Sequence, residues 1–207
     1  MKKSFVSLSG FLGVFFLLST AQAFTLEEQT SVYDSYALEA KGQIGKAIER
    51  MVALSIKHGN DYFTNYRLGY LFSIDKKYKN SIEHYQKAAT SAPTSVEPWL
   101  ALSSLQVNLL DYAGAVASST ELLKRDPNNY YGLLRLTLSY IRLKNYQPAV
   151  DNANRSLQLY PIDPIFLEQK AFALAQMGRQ DEARTVISTL ILISPRNEFA
   201  RTFTIKK

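Results

Sequence analysis

Cysteine is absent from the 207-residue chain. That excludes disulfides, thiolate metal sites and a cysteine nucleophile, and leaves no thiol to carry a lipid anchor. Histidine is nearly absent too: His58 and His84 are the only two, and neither has a second ligand at metal spacing. Both are expected on helix surfaces, and no metal site is nominated. The nine glycines are scattered and form no phosphate-cradling loop, and neither a Gly-x-Ser-x-Gly elbow nor a His-Glu-x-x-His pair occurs. The chain therefore offers no catalytic residue and no cofactor site, and is read as a non-enzyme. The adjacent carboxylates Asp181 and Glu182, like Glu27 and Glu28, fall where the first turn of a helix is expected, and acidic side chains there favour the helix dipole.

Strong charge of one sign is lacking as well, with 24 Lys and Arg set against 18 Asp and Glu. The basic residues are dispersed apart from Lys76, Lys77 and Lys79 and the terminal Lys206 and Lys207, and no nucleic-acid-reading motif accompanies them. No nucleic-acid partner is expected. Long apolar runs are missing everywhere except near the start. There, Lys2 and Lys3 precede an apolar stretch over Phe11 to Leu18 and a small-residue ending at Ala21-Gln22-Ala23. A basic start, a short apolar middle and small residues at a cleavage point make residues 1–23 a cleaved secretory signal. The chain is accordingly expected to be exported, to the periplasm or alternatively as a secreted protein. Lys2 and Lys3 leave with the leader, lowering the net charge from +6 to about +4. The most apolar later stretch, Val186 to Ile193, is far short of the roughly 20 residues of a membrane span, so the mature chain is expected to lack a transmembrane segment.

What is present is a period. Pro93, Pro127, Pro161 and Pro195 stand thirty-four residues apart. Proline has no backbone donor and cannot sit inside a helix, so a periodic proline is a periodic stop between helical segments. Other positions share the register. Ser81, Ala115, Ala149 and Ala183 supply a small residue, Tyr78, Tyr112 and Tyr146 an aromatic, and Gly42 and Gly178 occupy equivalent turns. Leu68-Gly69 with Phe72, and Tyr85 with Ala88, fill 62–95. Trp99, Leu102 and Asp126-Pro127 follow in 96–129, Leu133, Leu136 and Tyr140 in 130–163, and Leu167, Leu174 and Gly178 in 164–197.

These residues at this spacing resemble the tetratricopeptide repeat, a helix-turn-helix unit. The resemblance implies an all-α fold, a right-handed α-solenoid of antiparallel helix hairpins with about five repeats. Residues 24–61 are a divergent N-terminal capping repeat, since Gly59 replaces the proline. Residues 198–207 form a short C-terminal cap or tail, in which Phe199, Ala200 and Phe203 cover part of Val186, Ile187, Leu190 and Ile191.

The resemblance further implies that first helices line a concave groove, and it nominates Phe63, Tyr66, Arg67, Tyr70, Leu100, Tyr131, Leu134, Arg135, Leu138, Ile165 and Phe172 for that surface. Family members that clamp a C-terminal carboxylate use polar residues where this chain has Tyr66, Leu100 and Leu134, so an apolar peptide or amphipathic helix is the expected ligand. Arg67 and Arg135 recur at one groove position and are where acidic groups would be met. The function expected is an exported interaction scaffold or adaptor in assembly of an envelope or surface structure. A second reading stays open, an accessory subunit positioning a separate envelope enzyme or an enzyme of unrecognised type. Self-association through the C-terminal edge is a further expectation.

Overall fold

The computed structural model describes residues 24–205, so the expected leader at 1–23 and the terminal Lys206 and Lys207 lie outside the described residues. The described residues fold into helices only: α1 (Leu26–Ala40), α2 (Ile44–Lys57), α3 (Tyr62–Ile74), α4 (Tyr78–Ser91), α5 (Glu97–Asn108), α6 (Tyr112–Arg125), α7 (Tyr130–Arg142), α8 (Tyr146–Leu159), α9 (Pro164–Gln176), α10 (Gln180–Ile193) and α11 (Glu198–Ile205). Each odd helix from α1 to α9 pairs with the even helix after it, each hairpin packs on the next, and α11 packs on α10, giving an α-solenoid.

The prolines act one residue ahead of themselves. Ala92, Asp126, Tyr160 and Ser194 cap α4, α6, α8 and α10 with φ between −128° and −140°. The ring of a following proline disfavours helical geometry in the residue before it. The remaining prolines sit in first turns, as Pro98 and Pro164 show, where no intrahelical donor is lost.

The turn inside each hairpin repeats as strictly. After α1, the Gln43 N–H donates to the Leu38 carbonyl and the Gly42 N–H to Glu39, and the same pair of bonds closes α3, α5, α7 and α9. This C-terminal motif needs one residue with left-handed backbone. Gly42 and Gly178 supply it at φ 71° and 76°, but Lys76, Leu110 and Lys144 adopt it at 59°, 61° and 60°. A side chain there costs roughly 1–2 kcal/mol. Leu110 is 70% exposed and contributes little packing. Leu110→Gly is therefore expected to stabilise the chain by about 0.5–1 kcal/mol, read as a rise in Tm of a few degrees in thermal denaturation.

Small residues set how closely the hairpins close. Ala47, Ser81, Ala115, Ala149 and Ala183, one per second helix, are all fully buried. Opposite them on first helices stand Ser35, Gly69, Ser103, Thr137 and Ala171. At Gly69 the approach leaves no room for a side chain: an added Cβ would lie 2.6 Å from the Tyr85 ring, and the Ser81 hydroxyl donates to the Gly69 carbonyl at 2.7 Å. At the far end α11 stands in register with the first helix of a further unit. Ala200 is fully buried there, and Phe199 and Phe203 pack against the cluster that holds Val186, Ile187 and Leu190.

Successive first helices touch directly, α5 with α7 and α7 with α9, and no two second helices do so comparably among the described residues. A stack whose units approach more closely on one side bends toward that side. The first helices are thus on the inner face. Among the described residues no helix is long and apolar enough to cross a membrane.

Candidate partner groove

The middle of the inner face is built from α5 and α7. Asn129 starts α7 by accepting a hydrogen bond from the Gly132 N–H, and the helix then presents Tyr131, Leu134, Arg135 and Leu138 at helical spacing. Tyr131 is 54% exposed, and the Arg135 guanidinium sits over its ring at 5.4 Å. Arg135 Nη1 donates to the Leu100 carbonyl at 2.8 Å and the Ser103 hydroxyl at 3.1 Å. Burial pushes the Arg135 guanidinium below its ordinary pKa. Leu134 is partly buried against the core cluster of Leu123, Leu133, Leu136 and Phe166.

Toward the C-terminus, Leu138 and Phe172 meet in one cleft of about 300 Å³, joined by Ile141, Arg142, Glu168, Gln169 and Phe199. The Gln169 Oε1 is buried with no hydrogen-bond donor. Ile165, near the start of α9, is 46% exposed.

The nominated residues of α3 are placed differently. Phe63 packs against the core of the first two hairpins and lines a separate cleft of about 360 Å³ with Phe24, Gln29, Val32 and Tyr33. Tyr66 is half-buried, stacked on Tyr62 at 5.9 Å and edge-on to Tyr85 at 5.5 Å. Arg67 is only 5% exposed. Its Nη2 pairs with Glu39, its Nε and Nη2 reach the Ser35 hydroxyl and carbonyl at 3.4 Å, and its guanidinium covers the Tyr36 ring at 3.8 Å. The Tyr70 hydroxyl donates to the other Glu39 oxygen at 2.9 Å. The acidic group expected at Arg67 is thus supplied by the chain itself, and Arg67 with Tyr70 ties α3 to α1. Leu100, Tyr131, Leu134, Arg135, Leu138 and Phe172 form the part of the nominated surface that α5, α7 and α9 bring together.

The two histidines also depart from expectation, for they are not free surface residues. His84 stacks on Phe72 at 5.3 Å, bonds Asn65 Oδ1 through Nδ1 at 3.0 Å, and is held below its ordinary pKa first by burial. His58 caps α2 and lies 3.0 Å from Glu28. Glu28 is 7% exposed and closes a capping box with Thr25. The Thr25 backbone N–H, and after it His58, hold the Glu28 carboxyl down from the ordinary 4.5 to about 2. A carboxyl held lower in the folded than in the unfolded chain contributes stability above its ordinary value, and that contribution is lost as pH falls from 4.5 toward 2. Urea midpoints of the native chain and Glu28→Gln are expected to differ at pH 7 and to draw together as pH falls from 4.5 toward 2. Among the described residues no cluster of three His, Cys, Asp or Glu is placed to hold a metal.

The sequence pattern of the tetratricopeptide repeat matches residues 64–95. A crystal structure of MamA superposes with a TM-score of 0.72 at 16% identity, over 82% of this chain and 92% of that one, and a second MamA structure scores 0.70 at 18%, over 87% and 98%. The crystal structure of YrrB, described as a TPR protein with an unusual peptide-binding site, scores 0.72 at 12%, over 84% and 90%. The chain folds as a tetratricopeptide-repeat protein. At these identities the likeness to the solved structures is one of fold. No curated protein matches the chain in sequence.

Sequence reasoning missed the Glu39–Arg67 tie and the contribution of Ser103 to the inner face of this repeat protein. A signal for the first was present, because Glu39 lies twenty-eight residues before Arg67, one unit back and about two turns down the preceding first helix.

Proposed function

We propose that the chain is an exported, non-catalytic interaction scaffold that holds a peptide or amphipathic helix of another protein along the inner face of α5, α7 and α9. One observation carries the reading. The face combines an exposed aromatic, Tyr131, with apolar side chains at Leu138 and Phe172 and an arginine that bonds the Leu100 carbonyl. Aromatic anchors and arginine supply most of the energy in protein recognition. The peptide-binding site named for YrrB supports a like use of this fold. The N-terminal leader in the sequence supports export to the periplasm or beyond, and assembly of an envelope or surface structure is the setting proposed. Leu192, 81% exposed on α10, supports self-association at the C-terminal edge as an accessory property.

The test is a photo-crosslinking amino acid at Phe172 in the native cell, with Thr120 on the exposed side of α6 as control. A protein trapped from Phe172 and not from Thr120 is expected. Tyr131→Ala combined with Leu138→Ala should reduce that trapping at least tenfold while the helical spectrum is unchanged. Equal trapping from both positions, or trapping indifferent to the double variant, removes the inner face as the binding surface.

A further inference from the structure

The repeat supplies its own comparison. Arg67 and Arg135 occupy one register position two units apart, and so do their serine partners, Ser35 and Ser103. Each guanidinium is tethered to a serine hydroxyl and a backbone carbonyl of the first helix one unit back, and each lies over an aromatic ring. The two sites use different rings, Tyr36 and Tyr131, and different carbonyls, Ser35 and Leu100, and they differ in charge at one position. Arg67 meets the carboxylate of Glu39, whereas the register equivalent of Glu39 at Arg135 is Val107.

The consequence for Arg135 is an incomplete set of partners. Its Nη1 is engaged, but Nε and Nη2 have no acceptor among the described residues, and no carboxylate there lies within ion-pair distance. A guanidinium has five donors in a fixed fork that matches a carboxylate, and taking it part-way out of water without one is unfavourable. Arg135 is half-buried and held in place by Leu100 and Ser103, so its fork is already oriented when a ligand arrives. The other arginine shows what completes such a site: a side-chain carboxylate projecting from a neighbouring helix.

We propose that Arg135 is a carboxylate-recognition site, completed by the side chain of a glutamate or aspartate in a partner segment that lies on α5 and α7. The assignment rests on the inner-face reading above and adds to it the chemistry of one residue of the partner. The partner's acidic side chain takes the place that Glu39 takes at Arg67. Apolar residues on either side of it meet Leu100, Tyr131 and Leu138. Val107 in place of a glutamate keeps Arg135 open to another chain.

Three libraries of twelve-residue peptides with randomised apolar positions test this on the full chain. The first fixes a central glutamate and is acetylated and amidated; the second is the same with glutamine; the third has the glutamine with a free C-terminal carboxylate. The first is expected to yield binders by fluorescence anisotropy that the second does not. Arg135→Gln should weaken them roughly tenfold or more, the scale of a charge-assisted pair. Val107→Glu, which restores the internal carboxylate, should weaken them as much while raising Tm, so loss of binding in that variant cannot be put down to misfolding. Leu138→Ala separates the two readings: binders weakened by Leu138→Ala but not by Arg135→Gln leave the groove standing and overturn the carboxylate site. Binders from the third library alone, or none from any library, also overturn it.

Discussion

Phe166→Ala is expected to cost about 3–5 kcal/mol, the usual penalty for emptying a fully buried aromatic site. Phe166 has no exposed surface and lies 5.4 Å from the Tyr130 ring and 6.0 Å from that of Tyr160, among Leu123, Leu133 and Leu136. Every one of those neighbours belongs to the two preceding units, so the ring is the joint between α9 and what comes before it. A solenoid is stable as a sum of units and of nearest-neighbour interfaces. Weakening one interface should uncouple α9 to α11 from the rest. Thermal unfolding followed by circular dichroism is expected to start roughly 10 °C lower and to separate into two steps. A single transition at the native temperature would show that the joint lies elsewhere.

The second large effect concerns the tie between the first two units. Glu39→Ala leaves the Arg67 guanidinium, 5% exposed, without its carboxylate, and leaves Tyr70 without its acceptor. Breaking a buried pair by removing one member costs on the order of 3–5 kcal/mol, and the partial exposure of Glu39 places this case near the lower end. Removing the arginine as well, in Glu39→Ala with Arg67→Met, should recover most of the loss, because no uncompensated charge stays buried. Urea denaturation of the native chain and the three variants measures the cycle. A double variant no more stable than Glu39→Ala would mean that the loss comes from packing of α1 and not from the stranded charge.

Much of the architecture was legible because a helix stop is a local event. Pro93, Pro127, Pro161 and Pro195 act on the residue just before them, and that action needs no tertiary partner. The small residues Ala115, Ala149 and Ala183 were legible for a similar reason, since only a small side chain fits where two helices close to contact. The left-handed turns were half legible. Gly42 and Gly178 announce them, but at Lys76, Leu110 and Lys144 the hairpin register imposes the conformation on residues that do not favour it.

The inner face was harder to read, because a repeat position specifies where a side chain stands and not what it meets. Arg67 and Arg135 have one identity and one register. Glu39 closes the first site and Val107 leaves the second open, a difference twenty-eight residues upstream in each case. Phe63 and Tyr66 were drawn into packing by Phe24, Tyr62 and Tyr85, contacts particular to the first hairpins that no average over repeats contains. His58 and His84 were misplaced on the surface for the same cause, since Glu28 and Asn65 reach them from other helices.

The proposed binding surface is the inner face of α5, α7 and α9. Its most direct measurement is the NMR spectrum of the chain, backbone amides with Leu and Ile methyls, titrated with the tightest peptide of the glutamate library. Shifts confined to Leu100, Leu134, Arg135, Leu138, Ile165 and their neighbours are predicted. Shifts that fall on the exposed sides of α6 and α8, with those residues unmoved, would contradict it.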